Sequence, residues 1–408
     1  MFHTKVLHIV VVSDTHKCLD TLSPEARWGF PLLLIFPLIT VLSLVGCSPV
    51  RSDRLTPAPT IILPLTQSPY SLSLTEISVD EAMQYFQDPA SQEQLNGINA
   101  ITQAGWKSIH TIARFGPTDQ ELTSGVSAAL KPGEPFVGYL LIANIQEYGY
   151  DIGFVATLDY EPLRINYNEM PPQALPVVHF ESGDTRAFKF SLSPLPEGLH
   201  ALVITYVTDP YRVFILDPTR FDPETSVAIG VRTQPHEFGV LLFVTPAAPQ
   251  TVTDWPARAR AFLPDQTIRL DSAQLLKNPL PGRSSQFLAK DAVKAGETVT
   301  YYAKFLGPTD PGEWPDMPVR VLVFWDEMLS QADDLAVPVQ ATAQGQSIPY
   351  PIHVPTGLEA GEHILMVIAY PYPYYLRFWR SKDGSETWSA NALFFGYLMA
   401  RLPVTVVR

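Results

Sequence analysis

Residues 193–208 read Ser-Pro-Leu-Pro-Glu-Gly-Leu-His-Ala-Leu-Val-Ile-Thr-Tyr-Val-Thr. The second part, Leu199–Thr208, is a long apolar run rich in β-branched and aromatic residues, entered through a Pro- and Gly-marked turn. That combination predicts a β-strand. The entry pattern returns 163 residues later: Ser193-x-Leu195-x-x-Gly198-x-His200 matches Thr356-x-Leu358-x-x-Gly361-x-His363, followed by the strand-like run Ile364–Tyr370. At the same spacing Lys131-Pro-Gly133-Glu134 matches Lys294-Ala-Gly296-Glu297, Tyr139 matches Tyr302, and Pro210-Tyr211 matches Pro373-Tyr374. The register slips only near the end, where Phe238-Gly239 pairs with Phe395-Gly396. Two copies, rather than many, predict tandem domains and not a solenoid.

Each copy reads as short strands. Lys-x-Gly-Glu is a turn feeding Pro135–Ile145 in the first copy and Thr298–Leu306 in the second. Gly153–Leu158 and Val319–Trp325 follow, and Phe188–Leu192 precedes the turn into Leu199–Thr208. Phe238–Thr245 and Phe394–Val407 close the copies. About seven short strands with turns between them predict an antiparallel sandwich. The 39 prolines fit, because they fall between apolar runs of strand length, where turns belong. The Leu-x-x-Gly-x-His-x-Leu pattern resembles a late strand of immunoglobulin-like bacterial surface modules. The fold class is therefore mainly β: two tandem immunoglobulin-like antiparallel sandwiches with a short helical segment before the first.

Around the copies the chain divides further. Ser78-Val-Asp-Glu81 is a capping box, predicting a short helix over Val79–Gln87 that stops before Pro89, and Ser91–Ala104 holds a second. Trp106–Phe115 is a strand. The expected organisation is a signal peptide with an upstream extension (1–46), a lipidated Pro-rich tether (47–70), a helical and strand lead-in (71–118) and sandwich 1 (119–246). A Pro-rich connection (247–285), with a strand at Thr267–Leu270, then leads to sandwich 2 (286–408).

Placement in the cell is read from Trp28–Cys47, WGFPLLLIFPLITVLSLVGC, an apolar run behind the lone Arg27. This is the layout of a secretory signal peptide. Leu44-Val45-Gly46-Cys47 resembles a bacterial lipobox. The resemblance implies that Cys47 is acylated and becomes the first mature residue, with several chains giving stable anchoring. Pro31 and Pro37 and a length at the short end of a membrane span favour that over a plain transmembrane helix. The Pro/Thr/Ser-rich stretch 48–69 would lift the folded part off the membrane. The expected location is the extracytoplasmic side of a cell membrane or surface. A signal peptide begins close to its apolar core, so the residues before about Thr21 read as an upstream extension. Within them Lys5-Val-Leu-His-Ile-Val-Val-Val-Ser-Asp14-Thr-His16 resembles the first motif of calcineurin-like metallophosphoesterases, which implies that Asp14 and His16 could ligate a metal. The chain has no Gly-Asn-His and no Gly-His-x-His, and no second Asp closely follows Gly183-Asp184. A dinuclear centre needs those further ligands, so no enzyme is expected from it.

Composition narrows the classes. The formal net charge is −13, against the basic patches that nucleic-acid binding requires. Of the two cysteines, Cys18 precedes the cleavage site and Cys47 is the lipidated one, so no disulfide is available. There is no Gly-x-Ser-x-Gly elbow, phosphate-cradling Gly-rich loop or His-Glu-x-x-His. His200 and His363 read as residues that each cap a turn or pack beside the strand entry, the other reading being paired ligands, one per domain; His353, His110, His179 and His236 are not clustered with Cys or carboxylates in a zinc pattern. The acidic stretches Asp217–Glu224, Asp310 and Asp316 read as solvated loops rather than calcium sites. No catalytic residue, metal or cofactor is expected.

The segment that carries recognition chemistry is Tyr370-Pro-Tyr372-Pro-Tyr374-Tyr375-Leu-Arg377-Phe-Trp379-Arg380, with Trp388 beyond it. Alternation would put Tyr370, Tyr372 and Tyr374 on one side of an extended segment, offering flat faces to sugar rings or a protein partner. Tyr370, Tyr372, Tyr374, Tyr375, Arg377, Trp379 and Trp388 are the candidate ligand-binding residues. The alternative is a Tyr-rich loop folded over the sandwich end or packed on the first domain. The expected function is a non-enzymatic binding module of the cell envelope, contacting polysaccharide through sandwich 2; the other reading is a structural spacer or subunit of an envelope protein complex.

Overall fold

A computed structural model of the chain describes residues 68–103, 109–123, 127–145, 149–210, 236–244, 270, 272–283, 291–307, 317–371, 378–380, 386–388 and 396–407. Cys47, the tether, Asp14, His16 and the acidic loops 217–224, 310 and 316 lie outside them.

The described chain opens with β1 (Ser71–Ile77), α1 (Val79–Met83), a 3-10 turn (Gln84–Phe86) and α2 (Pro89–Gln103). The Ser78 hydroxyl accepts from the Glu81 N–H at 3.1 Å, and Asp88 caps α2 through the Ser91 N–H, also at 3.1 Å. Then follow β2 (Ile109–Gly116), β3 (Ser127–Leu130), β4 (Phe136–Asn144), β5 (Tyr150–Leu158), β6 (Glu161–Tyr167), β7 (Val177–Phe180), β8 (Thr185–Leu192), β9 (Gly198–Thr208) and β10 (His236–Val244). One sheet is ordered β2-β4-β8-β1-β6, the other β6-β5-β9-β10-β3, with β7 also on β5. Strand β6 changes sheets part-way: Glu161–Leu163 pair with β5 and Arg164–Tyr167 with β1. Switching of this kind makes the corner of a sandwich. Between the sheets lie Leu74, Leu140, Phe188 and Phe190 from one and Phe154, Leu202, Ile204 and Leu242 from the other, all fully buried.

The second sandwich contains β11 (Ser272–Leu276), β12 (Asp291–Lys294), β13 (Thr298–Leu306), β14 (Met317–Trp325), β15 (Met328–Val337), α3 (Val339–Gln344), β16 (Ser347–His353), β17 (Gly361–Pro371), the short pair β18 (Phe378–Arg380) and β19 (Glu386–Trp388), and β20 (Tyr397–Val407). Its sheets are β11-β13-β16 and β12-β20-β17-β14-β15. They repeat the strand orders β2-β4-β8 and β3-β10-β9-β5-β6 of sandwich 1, including the parallel pairing of β3 with β10 and of β12 with β20. The sequence repeat is therefore a repeat of immunoglobulin-like sandwiches. The turns match too. In each Lys-x-Gly-Glu the glutamate side chain takes the lysine N–H at 2.7 Å, and the glycine sits at φ +86° or +79°, where a side chain would be strained.

Two boundaries differ from the sequence expectation. The lead-in is part of sandwich 1, since β1 and β2 are strands of its first sheet. Strand β1 is only seven residues with a short alternation of Leu72 and Leu74, too little to separate from the capping box beside it. Likewise β11, at Ser272–Leu276, belongs to sandwich 2; the expected strand Thr267–Leu270 lies, apart from Leu270, outside the described residues. The helices cover the outer face of the first sheet, where Tyr85 stacks on Tyr139 at 3.9 Å. Arg114 holds them there, with Nη1 donating to the Tyr85 carbonyl at 2.6 Å and lying 3.2 Å from Asp88.

Candidate functional site

The outer face of the β5-β9 sheet does not meet solvent. Val155, Ala201, Val203 and Val207 pack against Leu322, Phe324, Met366, Ile368 and Tyr370 of sandwich 2 in one buried cluster. Met366 is the repeat equivalent of Val203, and Tyr370 of Val207, so the same face of each copy is used, as in an isologous dimer. The Tyr370 hydroxyl donates to Thr205 Oγ1 at 2.8 Å, and Arg401, opposite Met366 in the ladder, donates to the carbonyls of Thr208 and Asp209. Moving along β9 from Thr205 to Thr208 thus moves back along β17 from Tyr370 to Met366, and the facing strands run in opposite senses. Arg320, nearly buried, bridges Glu161 of sandwich 1 at 2.5 Å and Asp334 at 3.1 Å. Burial pushes the Arg401 guanidinium down to about 10, against the pull of Asp209.

This interface corrects one expectation. Tyr370 is 2 % exposed and spends its hydroxyl on Thr205, so it is not part of an exposed aromatic row. Tyr372, Tyr374, Tyr375 and Arg377 lie outside the described residues. Trp379 and Trp388 lie on the two-stranded β18-β19 ladder, Trp379 opposite Thr387 and Trp388 opposite Phe378.

The repeated histidines clasp turns. His200 Nδ1 lies 2.7 Å from Asp159 Oδ2 and its Nε2 2.9 Å from the Pro196 carbonyl. His363 does the same with Asp326 Oδ2 at 2.7 Å and the Glu359 carbonyl at 2.9 Å. The other carboxylate oxygen of each aspartate accepts the next backbone N–H, Ala201 at 2.9 Å or Ile364 at 2.8 Å. Both aspartates sit at positive φ, +51° and +52°, a conformation Asp tolerates. The bond to Asp326 is the main cause raising the His363 pKa, with burial opposing it. The aspartates were not singled out in the sequence.

A second polar cluster is buried inside sandwich 2. Gln331 Nε2 donates to the Pro351 carbonyl at 2.9 Å and to Asp333, while its Oε1 accepts from the His353 N–H at 3.1 Å. The Tyr350 hydroxyl donates to Asp333 at 2.9 Å. Burial, then the Asp333 charge, drives the Tyr350 pKa well above its ordinary value. These bonds tie the two sheets together through one oxygen of Asp333, while its Oδ1 is buried without a hydrogen-bond partner. Among the described residues, no three His, Cys, Asp or Glu side chains are grouped to hold a metal ion, and no helix is long and apolar enough to cross a membrane.

No family model and no curated protein matches the sequence. Among solved structures the chain is similar to the CARDB domain of the PF1109 protein from Pyrococcus furiosus, determined in complex with di-metal ions. The identity is 8 % over 34 % of this chain and 97 % of that one, with a TM-score of 0.20. A beta-glucosidase from Listeria innocua in complex with glucose matches at 13 % identity over 35 % of this chain and 17 % of that one, TM-score 0.19. Red sea bream transglutaminase matches at 9 % identity over 79 % of this chain and 34 % of that one, TM-score 0.18. Scores this low carry no argument about activity.

Proposed function

We propose that this chain is a lipid-anchored, extracytoplasmic, non-enzymatic binding module of the cell envelope. Cys47 carries the anchor, residues 48–69 form the tether, and the two paired sandwiches present the β17–β20 connection to a polysaccharide. The observation that supports it is the β18-β19 ladder, which places Trp379 opposite Thr387 and Trp388 opposite Phe378 within an aromatic-rich connection. Arg377 and Arg380 would orient hydroxylated or anionic groups.

A second reading, a structural spacer or subunit of an envelope complex, is favoured by the interface between the copies. There Tyr370 is consumed in joining the sandwiches and leaves fewer aromatics for a ligand. A pull-down of the protein without its apolar leader on isolated cell walls and polysaccharides separates the two. The companion variant carries Tyr374→Ala, Trp379→Ala and Trp388→Ala. Binding that the variant loses while its circular dichroism is unchanged supports the glycan module. Absence of binding by both forms overturns it in favour of a protein partner, to be captured by crosslinking at the membrane.

A further inference from the structure

Because the copies face each other with their strands in opposite senses, equivalent parts of the two sandwiches lie at opposite ends of the pair. Contacts across the interface fix the levels. Arg320, opposite Tyr370 in the β14-β17 ladder, bridges Glu161 at the start of β6. Arg401, opposite Met366 in the β17-β20 ladder, donates to the carbonyls of Thr208 and Asp209 at the finish of β9. Strand β17 therefore finishes at the end of the pair where β6 starts, and β9 finishes at the other end.

The chain enters the fold at the Glu161 end. Strand β1 runs parallel to β6 with Ser71 facing Arg164, and Leu72 faces Leu192, the last residue of β8 before the short turn into β9. Tyr70, through which residues 48–69 join the fold, and Pro371, which leads into the β17–β20 connection, thus stand at one end of the pair. The equivalent connection, from β9 to β10, starts at the other. Strand β1 belongs to the sheet of sandwich 1 remote from the interface. Packed sheets lie about 10 Å apart, so the two points are separated by two layers, about 20 Å.

The two connections are not alike. Residues 209–235, which join strands at the far end, hold three aromatics, no tryptophan, and more acidic than basic residues. Residues 372–396, which join strands at the tether end, hold eight aromatics, Trp379 and Trp388 among them. They also hold more basic than acidic residues, in a chain of net charge −13. Seven residues lead from Pro371 to Phe378, so β18 starts within about 25 Å of that end. Tryptophan and tyrosine settle at the boundary between lipid and water, and cations are drawn to an anionic leaflet. An aromatic surplus alone fits many partners; its place beside the tether selects the membrane.

We propose that this end faces the membrane and that the β18-β19 ladder makes a second, non-covalent contact with its headgroup layer. Trp379 and Trp388 enter the interfacial zone, and Arg380 meets lipid phosphate. This contact rests on the anchor at Cys47 proposed above, and not on the polysaccharide reading of the same connection.

The test uses the protein from Ser48 to Arg408, which keeps every described strand. It is sedimented with vesicles of phosphatidylcholine alone or mixed with phosphatidylglycerol. Binding to the mixed vesicles is expected, and its loss in the double variant Trp379→Ala, Trp388→Ala. Arg380→Gln is expected to weaken it about fivefold, the share of one cation near an anionic surface. The control Tyr211→Ala, Phe214→Ala, in the connection from the other end, is expected to bind as the unchanged protein does. Circular dichroism checks that each variant is folded. No binding by the unchanged protein, or equal losses from the two ends, would overturn the contact. Binding to polysaccharide but not to vesicles would overturn it in favour of the glycan. Palmitate labelling of the full chain, compared with Cys47→Ala, checks the anchor separately. An unlabelled chain that still binds vesicles keeps the lipid contact, and a labelled chain that does not bind them loses it.

Discussion

At the scale of single residues the repeated histidines are spent on turns. Both ring nitrogens of His363 face acceptors, a carboxylate and a carbonyl. Neutral imidazole carries one N–H, so only the imidazolium makes both bonds. The folded-state pKa of His363 is raised, so the clasp contributes its full stability below the unfolded value near 6.5 and loses it as pH rises through the raised folded value. Urea unfolding at a series of pH values should show this decline in the native protein and its absence in His363→Phe. Asp326→Ala removes the acceptor of both His363 and the Ile364 N–H and should cost about 2 kcal/mol at pH 6. Equal pH dependence in all three proteins would contradict the clasp. The sequence made half of this legible. The histidines stand 163 residues apart, in the register of the repeat, but Asp159 and Asp326 stand 167 apart. Their partners were hidden because the second copy is four residues longer before β14 ends.

At the scale of elements the two copies protect the same sheet edge by different means. In sandwich 1 the free side of β8 is covered by β1, paired from Leu72 to Ile77. The equivalent strand in sandwich 2, β16, reads SIPYPIH and has no such cover among the described residues. The Pro351 carbonyl faces Gln331 rather than β13, so the Pro351 nitrogen, on the same side of the strand, also faces outward. Proline there offers no donor to an incoming strand, a recognised way of blunting an edge. The Gln331 amide completes the edge by accepting from His353 N–H and donating to the Pro351 carbonyl, as a neighbouring strand would. Gln331→Leu should therefore cost about 2–4 kcal/mol, because it orphans a backbone N–H, a carbonyl and part of the Asp333 carboxylate. Ser330→Ala, one residue away with a single bond to the Val323 carbonyl at 3.2 Å, should cost less than about 1 kcal/mol. Similar midpoints for the two variants in urea would refute this. Prolines and buried polar residues also explain why β15 and β16 were invisible in the sequence. Pro349 and Pro351 speak against a strand, and Gln331 and Asp333 put polar side chains at buried positions of β15. Their partners are set by tertiary contacts that no local pattern encodes.

At the scale of the whole molecule the repeat predicted two sandwiches but not that they would face each other. The signal was present in the strands that founded the reading. Leu199–Thr208 and Ile364–Tyr370 are apolar nearly throughout, where a strand with one wet face alternates. Such strands are covered on both sides, and here the second cover is the other copy: Val203 and Val207 against Met366, Ile368 and Tyr370. The candidate residue Tyr370 was misplaced for the same reason. Its spacing suggested a row shared with Tyr372 and Tyr374, while the neighbour that buries it lies 165 residues away at Thr205. Because the faces are equivalent, the interface makes a symmetric prediction. Val155→Asp and its repeat partner Leu322→Asp, whose neighbours on the paired strands (Thr205, Ala332 and Ile368) carry no charge, each bury a carboxylate in the same contact, a change costing about 4 kcal/mol. Neither residue lies between the sheets of its own sandwich, so each core keeps its packing. Both variants should part the sandwiches without unfolding them. Calorimetry should resolve two transitions where the native protein shows one, and small-angle scattering should record a larger radius of gyration at native circular dichroism. If either variant unfolds in one transition at unchanged dimensions, the face does not couple the copies. If one variant separates and the other does not, the equivalence of the two faces fails.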